Sequence, residues 1–129
     1  MRTTLRTSLL SIATVVLLSA CSGGGELDTL ARGIERDLKV PTAIIEASHT
    51  SLEVIVYNHP LAGGTDAQRE AAARQTAEYV RDHYADYGLL AQVVVELKAK
   101  GGGAMSYATR TQVYTFSRRE LGRPRTSAA

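Results

Sequence analysis

The sequence predicts an α+β fold: a two-layer sandwich in which two helices cover one face of a four-stranded, mainly antiparallel sheet, in the order α-β-β-α-β-β. Three observations carry this. Two segments repeat apolar residues at helical spacing, four are extended in character, and turn-forming residues separate them. Alternating strands leave one polar face and one apolar face, and two amphipathic helices supply the cover that the apolar face needs.

Taken in order, Glu26 to Val40 places Leu27, Leu30, Ile34 and Leu38 on one side of a helical wheel, and Pro41 ends the segment. Thr42 to Ser48 and Ser51 to Asn58 are rich in β-branched and aliphatic residues, with a turn at His49-Thr50. In the second of these strands Leu52, Val54 and Val56 alternate with Glu53, Ile55 and Tyr57. A loop with Pro60 and a glycine pair follows. Thr65-Asp66-Ala67-Gln68 then has the form of a capping box, in which the Thr65 hydroxyl accepts from a first-turn amide and Gln68 reaches back. The helix that it opens carries Ala73, Ala77, Val80, Tyr84 and Tyr87 as one stripe and is expected to end at Gly88. Glu70, Arg74 and Glu78 lie on its outer side as a solvated face. Ala91 to Lys100 puts Val93, Val95, Leu97 and Ala99 on one face and Gln92, Glu96, Lys98 and Lys100 on the other, with Val94 as the single apolar outer residue. Gly101-Gly102-Gly103 turns the chain into a last extended segment, Ser106 to Arg118. This order resembles that of the BON domains of some envelope lipoproteins, although the glycine-centred strand pattern of those domains is absent here.

The first 20 residues read as a removable leader. Arg2 and Arg6 precede an apolar stretch from Leu9 to Ala20, about 12 residues long where a membrane span needs roughly 20. The stretch ends Leu18-Ser19-Ala20-Cys21, which resembles the lipobox of bacterial lipoproteins. The resemblance covers residues 1–21. It implies a diacylglycerol on the Cys21 thiol, cleavage before that residue and acylation of the new amino group. Ser22, where an Asp would retain the protein at the inner membrane in the enterobacterial version of the class, implies the outer membrane, facing the periplasm. An ordinary cleaved signal, an uncleaved anchor and a buried cytosolic helix are the alternatives. Residues 21–25 then form the lipidated cysteine and a glycine-rich tether, residues 26–118 a single domain, and residues 119–129 a basic tail expected to be disordered.

Apolar residues make up 44% and charged residues 22% of the 129-residue chain, which fits a soluble globular domain. Without Arg2 and Arg6 the chain holds thirteen basic and thirteen acidic residues. That balance argues against a nucleic-acid partner. The single cysteine is the one the lipid would consume, so neither a disulfide nor thiol chemistry is expected in the domain.

No catalytic motif stands out, and no catalytic residue, metal or cofactor is assigned. The glycine triplet leads into a strand and not a helix, so it reads as a hairpin loop and not a phosphate cradle. Of the three histidines, His49 and His59 sit at opposite ends of one strand, roughly 25 to 30 Å apart. His83 lies beside Asp82 and Asp86 as a solvated helix residue. The aromatic set is six Tyr against one Phe and no Trp, a composition suited to half-buried sites and wet interfaces. Tyr57, Tyr107 and Tyr114 on strands, with Lys98, Lys100 and Arg110, are the candidate interaction surface, expected on the outer sheet face. From Arg118 onward four Arg face one Glu, a charge suited to anionic lipid or cell-wall polymer.

These features point to a membrane-tethered envelope lipoprotein acting as a non-catalytic interaction or accessory module, attached to the membrane through its lipid and able to hold an envelope protein partner. A small-ligand or lipid-binding lipoprotein is the alternative, and a hydrolase ranks third. The sequence sets neither the partner nor the oligomeric state.

Overall fold

The computed structural model describes residues 22–100 and 109–125, so the leader, Cys21, the glycine triplet and Tyr107 lie outside the described residues. Two main helices and four strands follow in the expected order: α1 Ser22–Asp37, β1 Thr42–Ala47, β2 Ser51–Tyr57, α2 Asp66–His83, β3 Gln92–Lys100 and β4 Thr109–Ser117. A single 3-10 turn spans Tyr87–Leu89, and a short helix, α3 Arg118–Leu121, closes the described chain.

The four strands form one sheet in the order β1-β2-β3-β4. The outer pairs, β1–β2 and β3–β4, are antiparallel, and the central pair, β2–β3, is parallel. The sheet is therefore mainly antiparallel, as expected. Its parallel centre follows from the connection: α2 carries the chain from the end of β2 back to the level of the start of β3, as parallel neighbours require.

Strand alternation sorts the side chains. Leu52, Val54 and Val56 of β2 stand in register with Val93, Val95 and Leu97 of β3, and all six are buried. Ile34 of α1 and Ala73, Ala77 and Val80 of α2 close over them. Full burial of such a side chain is worth about 1.5–3 kcal/mol, so this double row is the main apolar contribution to the fold. Tyr87 and Phe116 extend the same core.

Each helix is ended by a local device. The capping box at Thr65 is present in both directions, with the Gln68 amide donating to the Thr65 hydroxyl at 3.2 Å and the Gln68 side chain accepting from the Thr65 amide at 2.9 Å. α1 stops before Pro41 can intervene: Lys39 takes a left-handed φ of 55°, and the Val40 amide turns back to the Glu35 carbonyl at 3.2 Å, a Schellman-type closure. α1 also starts earlier than expected. Ser22 to Gly25, read from composition as a tether, belong to its first turn, and the Thr29 hydroxyl donates to the Gly25 carbonyl at 2.8 Å. α2 ends four residues short of Tyr87, because the backbone at Tyr84 becomes extended. Tyr84 still packs against the core, and Tyr87 is buried within it.

The tail departs most from expectation. Residues 118–125 fold back on the domain. Ser117 caps α3 through a second capping box with Glu120, and Leu121 is buried. Arg81, only 4% exposed, donates to the Leu121 carbonyl at 2.8 Å and grips Asp82 through two hydrogen bonds at 2.8 and 3.0 Å. Asp82 in turn accepts from the Arg125 amide at 2.8 Å, and the Tyr87 hydroxyl donates to the Gly122 carbonyl at 2.9 Å. Basic composition had suggested disorder, but one buried leucine and these bonds from α2 fix the segment. Leu121→Ala should accordingly cost about 2–3 kcal/mol, within the range for buried leucines, while Arg119→Ala stays within about 0.5 kcal/mol, as for exposed sites. Urea unfolding followed by circular dichroism checks both. A detached tail would give equal, negligible values.

Candidate functional site

Both helices pack on the same side of the sheet, so the opposite face is uncovered by any described element. The register places its residues in rows across the strands. One row runs Glu46, Glu53, Val94 and Thr115; the next Ile44, Ile55, Glu96 and Val113; the third Thr42, Tyr57, Lys98 and Thr111. Ile44 and Val113, on the two edge strands, are 43% and 56% exposed. An apolar row thus crosses the open face, interrupted by Glu96.

Around that row the charges are close. The Glu53 and Glu96 carboxyls share a hydrogen bond. That bond, burial and the charges of Glu96 and Glu46 push the Glu53 carboxyl up from its ordinary value, and Lys98 opposes the shift. Lys98 Nζ lies 3.6 Å from Glu96 Oε2 and 5.9 Å from the centre of the Tyr57 ring. The parallel register sets Tyr57 directly beside Lys98, so two candidates distant in sequence become neighbours. Lys100 ends β3, paired with Thr109 of β4.

The register corrects the placement of two other candidates. Arg110 pairs with Ala99 and Tyr114 with Val95, which puts both on the helix side of the sheet. Tyr114 packs against the core and donates to Gln112 Oε1 at 3.0 Å. Composition alone made these residues resemble Tyr57 and Lys98, but the parity of β4 turns its even-numbered positions inward and leaves Thr111, Val113 and Thr115 outside. Glu46, Glu53, Ile44, Ile55 and Val113 were not singled out from the sequence as surface residues. The alternation of β2 already grouped Glu53 and Ile55 with Tyr57, but the Ile44 and Val113 contributions needed the pairing.

The histidines play different parts. His59 is buried, its Nδ1 accepting from the Leu61 amide at 3.0 Å, and desolvation holds it below its usual value. His83 stacks on Tyr79 with ring centres 3.8 Å apart, and its Nδ1 lies 2.9 Å from the Tyr79 carbonyl. Tyr79 donates to Asp37 at 2.7 Å. With Arg36 as the leading cause and Tyr79 second, that carboxyl is held down to about 2. Among the described residues no group of three or more His, Cys, Asp or Glu could hold a metal, and no helix is long and apolar enough to cross a membrane.

Two of the surface clefts lie within the described residues. One, of about 720 Å³, is formed where the tail meets the Tyr87 turn; the other, of about 650 Å³, lies between α1 and α2 beside Tyr79 and His83. Neither is lined by Tyr57, Glu53 or Glu96, which stand on the open sheet face, or by Tyr114, which packs on the helix side. No family model, no curated protein and no solved structure matches the chain.

The Glu53 carboxyl makes a pH test of this face possible. A carboxyl whose folded value is raised favours the fold while protonated: the contribution is complete below pH 4.5 and is lost as pH rises through the folded value. His59 acts in the opposite sense, its contribution being present above pH 6.5 and lost as pH falls through its lowered folded value. Glu53→Gln should flatten the Glu53 part of the profile and raise stability at pH 7 by roughly 0.5 kcal/mol, the size of a cross-strand like-charge term. Urea midpoints between pH 4 and 8 measure it. A parallel profile for the variant would remove Glu53 from the account.

Proposed function

We propose that this chain is a lipid-anchored protein of the cell envelope, held through Cys21 at the outer membrane and facing the periplasm, and that it is a non-catalytic module docking a partner protein on its open sheet face. The observation that carries the docking part is the Ile44-Ile55-Glu96-Val113 row, with apolar side chains exposed at both edges. A flat patch of apolar residues among charged ones, with an aromatic at its side, has the composition of a non-obligate interface. The partner's surface would meet the aliphatic row and place its own cations against Glu46 and Glu53. The anchor rests on the leader sequence and its lipobox. Acyl chains at about 0.8 kcal/mol per buried methylene hold a domain on a bilayer without any apolar protein surface, which leaves the sheet face for a partner.

A second reading, a lipid- or ligand-binding lipoprotein, is favoured by the cleft of about 720 Å³ at the tail. It does not compete for the same residues, since the cleft and the open face share none.

Two measurements test the proposal. Cys21→Ser should abolish palmitate labelling and move the protein from the membrane to the soluble fraction; labelling that persists would end the lipoprotein part. Photo-reactive residues placed at Ile44 or Val113 should each form a discrete crosslink in intact cells, whereas one at Glu70, on the exposed side of α2, should form none. Crosslinking from Glu70 alone would move the interface to the helices.

A further inference from the structure

The cleft at the tail differs in charge from the rest of the molecule. Arg118, Arg119 and Arg123 line it together with Tyr87, Gly88 and Pro124, and no carboxylate is among its lining residues. Of the acids near it in the chain, Glu120 and Asp82 are engaged, and Asp86, which precedes Tyr87, makes no side-chain cap bond. Glu120 accepts from the Ser117 amide at 2.7 Å, and Asp82 is held by Arg81 and by the Arg125 amide. Arg118 donates to the Gly88 carbonyl through one nitrogen. Among the described residues, the Arg119 and Arg123 side chains make no hydrogen bond or ion pair. Three arginines therefore line one cleft of about 720 Å³, and the Arg119 and Arg123 side chains have no bond within the described residues. The planar guanidinium fork matches the oxygens of a phosphate group, with two parallel hydrogen bonds per arginine.

The position of the cleft adds a second argument. β3 begins and β4 ends at this end of the sheet, and the β1–β2 hairpin turns there as well. α1 leads into the far end of β1, so its first residues return to the same end. Gly25 and Glu26 share the second cleft with His83, at the close of α2. The start of α1 and the arginine cleft therefore occupy one pole of the domain, while Lys98 and Arg110 lie towards the other. A chain anchored just before Ser22 would turn this arginine pole to the bilayer.

We infer that the Arg118-Arg119-Arg123 cleft is a binding site for a phosphate group, presented by an anionic glycerophospholipid headgroup or by a soluble phosphate ester. The bilayer as source rests on the lipoprotein reading; phosphate binding by the cleft does not. A membrane-facing site of this kind would fix the orientation of the domain on its tether and leave the open sheet face at the side, free for a protein.

The test uses the full chain carrying Cys21→Ser, so that no acyl chain contributes, and compares it with the same chain carrying Arg119→Gln and Arg123→Gln. These two arginines make no bonds within the fold, so the melting temperatures should coincide. Any leader contribution is common to both proteins. In sedimentation with vesicles of phosphatidylglycerol in phosphatidylcholine at low salt, the double substitution should weaken binding roughly ten- to thirtyfold, the size expected for two arginines at an anionic surface. In a second arm, glycerol phosphate is titrated while the arginine Nε–Hε resonances are followed by NMR. Loss in the vesicle arm alone assigns the site to a lipid headgroup. Arg119 and Arg123 shifts that saturate with glycerol phosphate, without a vesicle difference, assign it to a soluble ester. Identical behaviour of the two proteins in both arms overturns the inference, and so does an equal vesicle loss on Lys98→Gln with Arg110→Gln, which would reduce the effect to general charge. Palmitate labelling of Cys21 reports on the anchor separately.

Discussion

The parallel pairing of β2 with β3 is the constraint on which the remaining architecture depends. It sets Leu52, Val54 and Val56 against Val93, Val95 and Leu97 as one continuous apolar surface in the middle of the sheet. Neither strand could hold that surface out of water alone, and one helix is too narrow to cover it. α1 packs chiefly over β1 and α2 over β3, and their contact closes the seam. Because the same pairing forces the chain to travel the length of the domain between the two strands, it also makes α2 necessary. One register thus fixes the core, the side on which the helices lie and, by exclusion, the face that stays open.

That open face inherits its chemistry from the same register. With a period of two along every strand, each buried valine commits its neighbours to the outside. The result is a row of aliphatic residues crossed by a carboxyl pair and bordered by Tyr57 and Lys98. Glu53 and Glu96 are brought near one another by the pairing of β2 with β3, and the hydrogen bond with Glu96 is the leading cause that raises the Glu53 carboxyl.

The other pole is organised by Arg81. Its buried guanidinium binds Asp82 and the Leu121 carbonyl, and Asp82 reaches the Arg125 amide. A charge this deep is tolerable only when fully hydrogen-bonded. The tail supplies part of that satisfaction and is itself ordered by doing so. As a consequence three further arginines are gathered at one place without carboxylates of their own, and the domain acquires two chemically different surfaces: a mixed flat face and a cationic cleft.

The sequence by itself determined the element order, the α+β class and the inward sets of β2 and β3, because these follow from local periodicity: 3.6 residues for a helix and two for a strand, read over a few turns. It also determined the capping box at Thr65, a contact across three residues. What only the tertiary structure decided depends on residues far apart in the chain. Tyr57 beside Lys98 needs the parallel register, and the inward turn of Arg110 and Tyr114 needs the pairing of β4 with β3. The folding of the tail needs Arg81, a residue that looks in sequence like any other helix cation. Local patterns report which side of an element is apolar, since burial acts on each element in turn. They carry no information on which strand lies beside which, and it is that adjacency which brings charges together into a site.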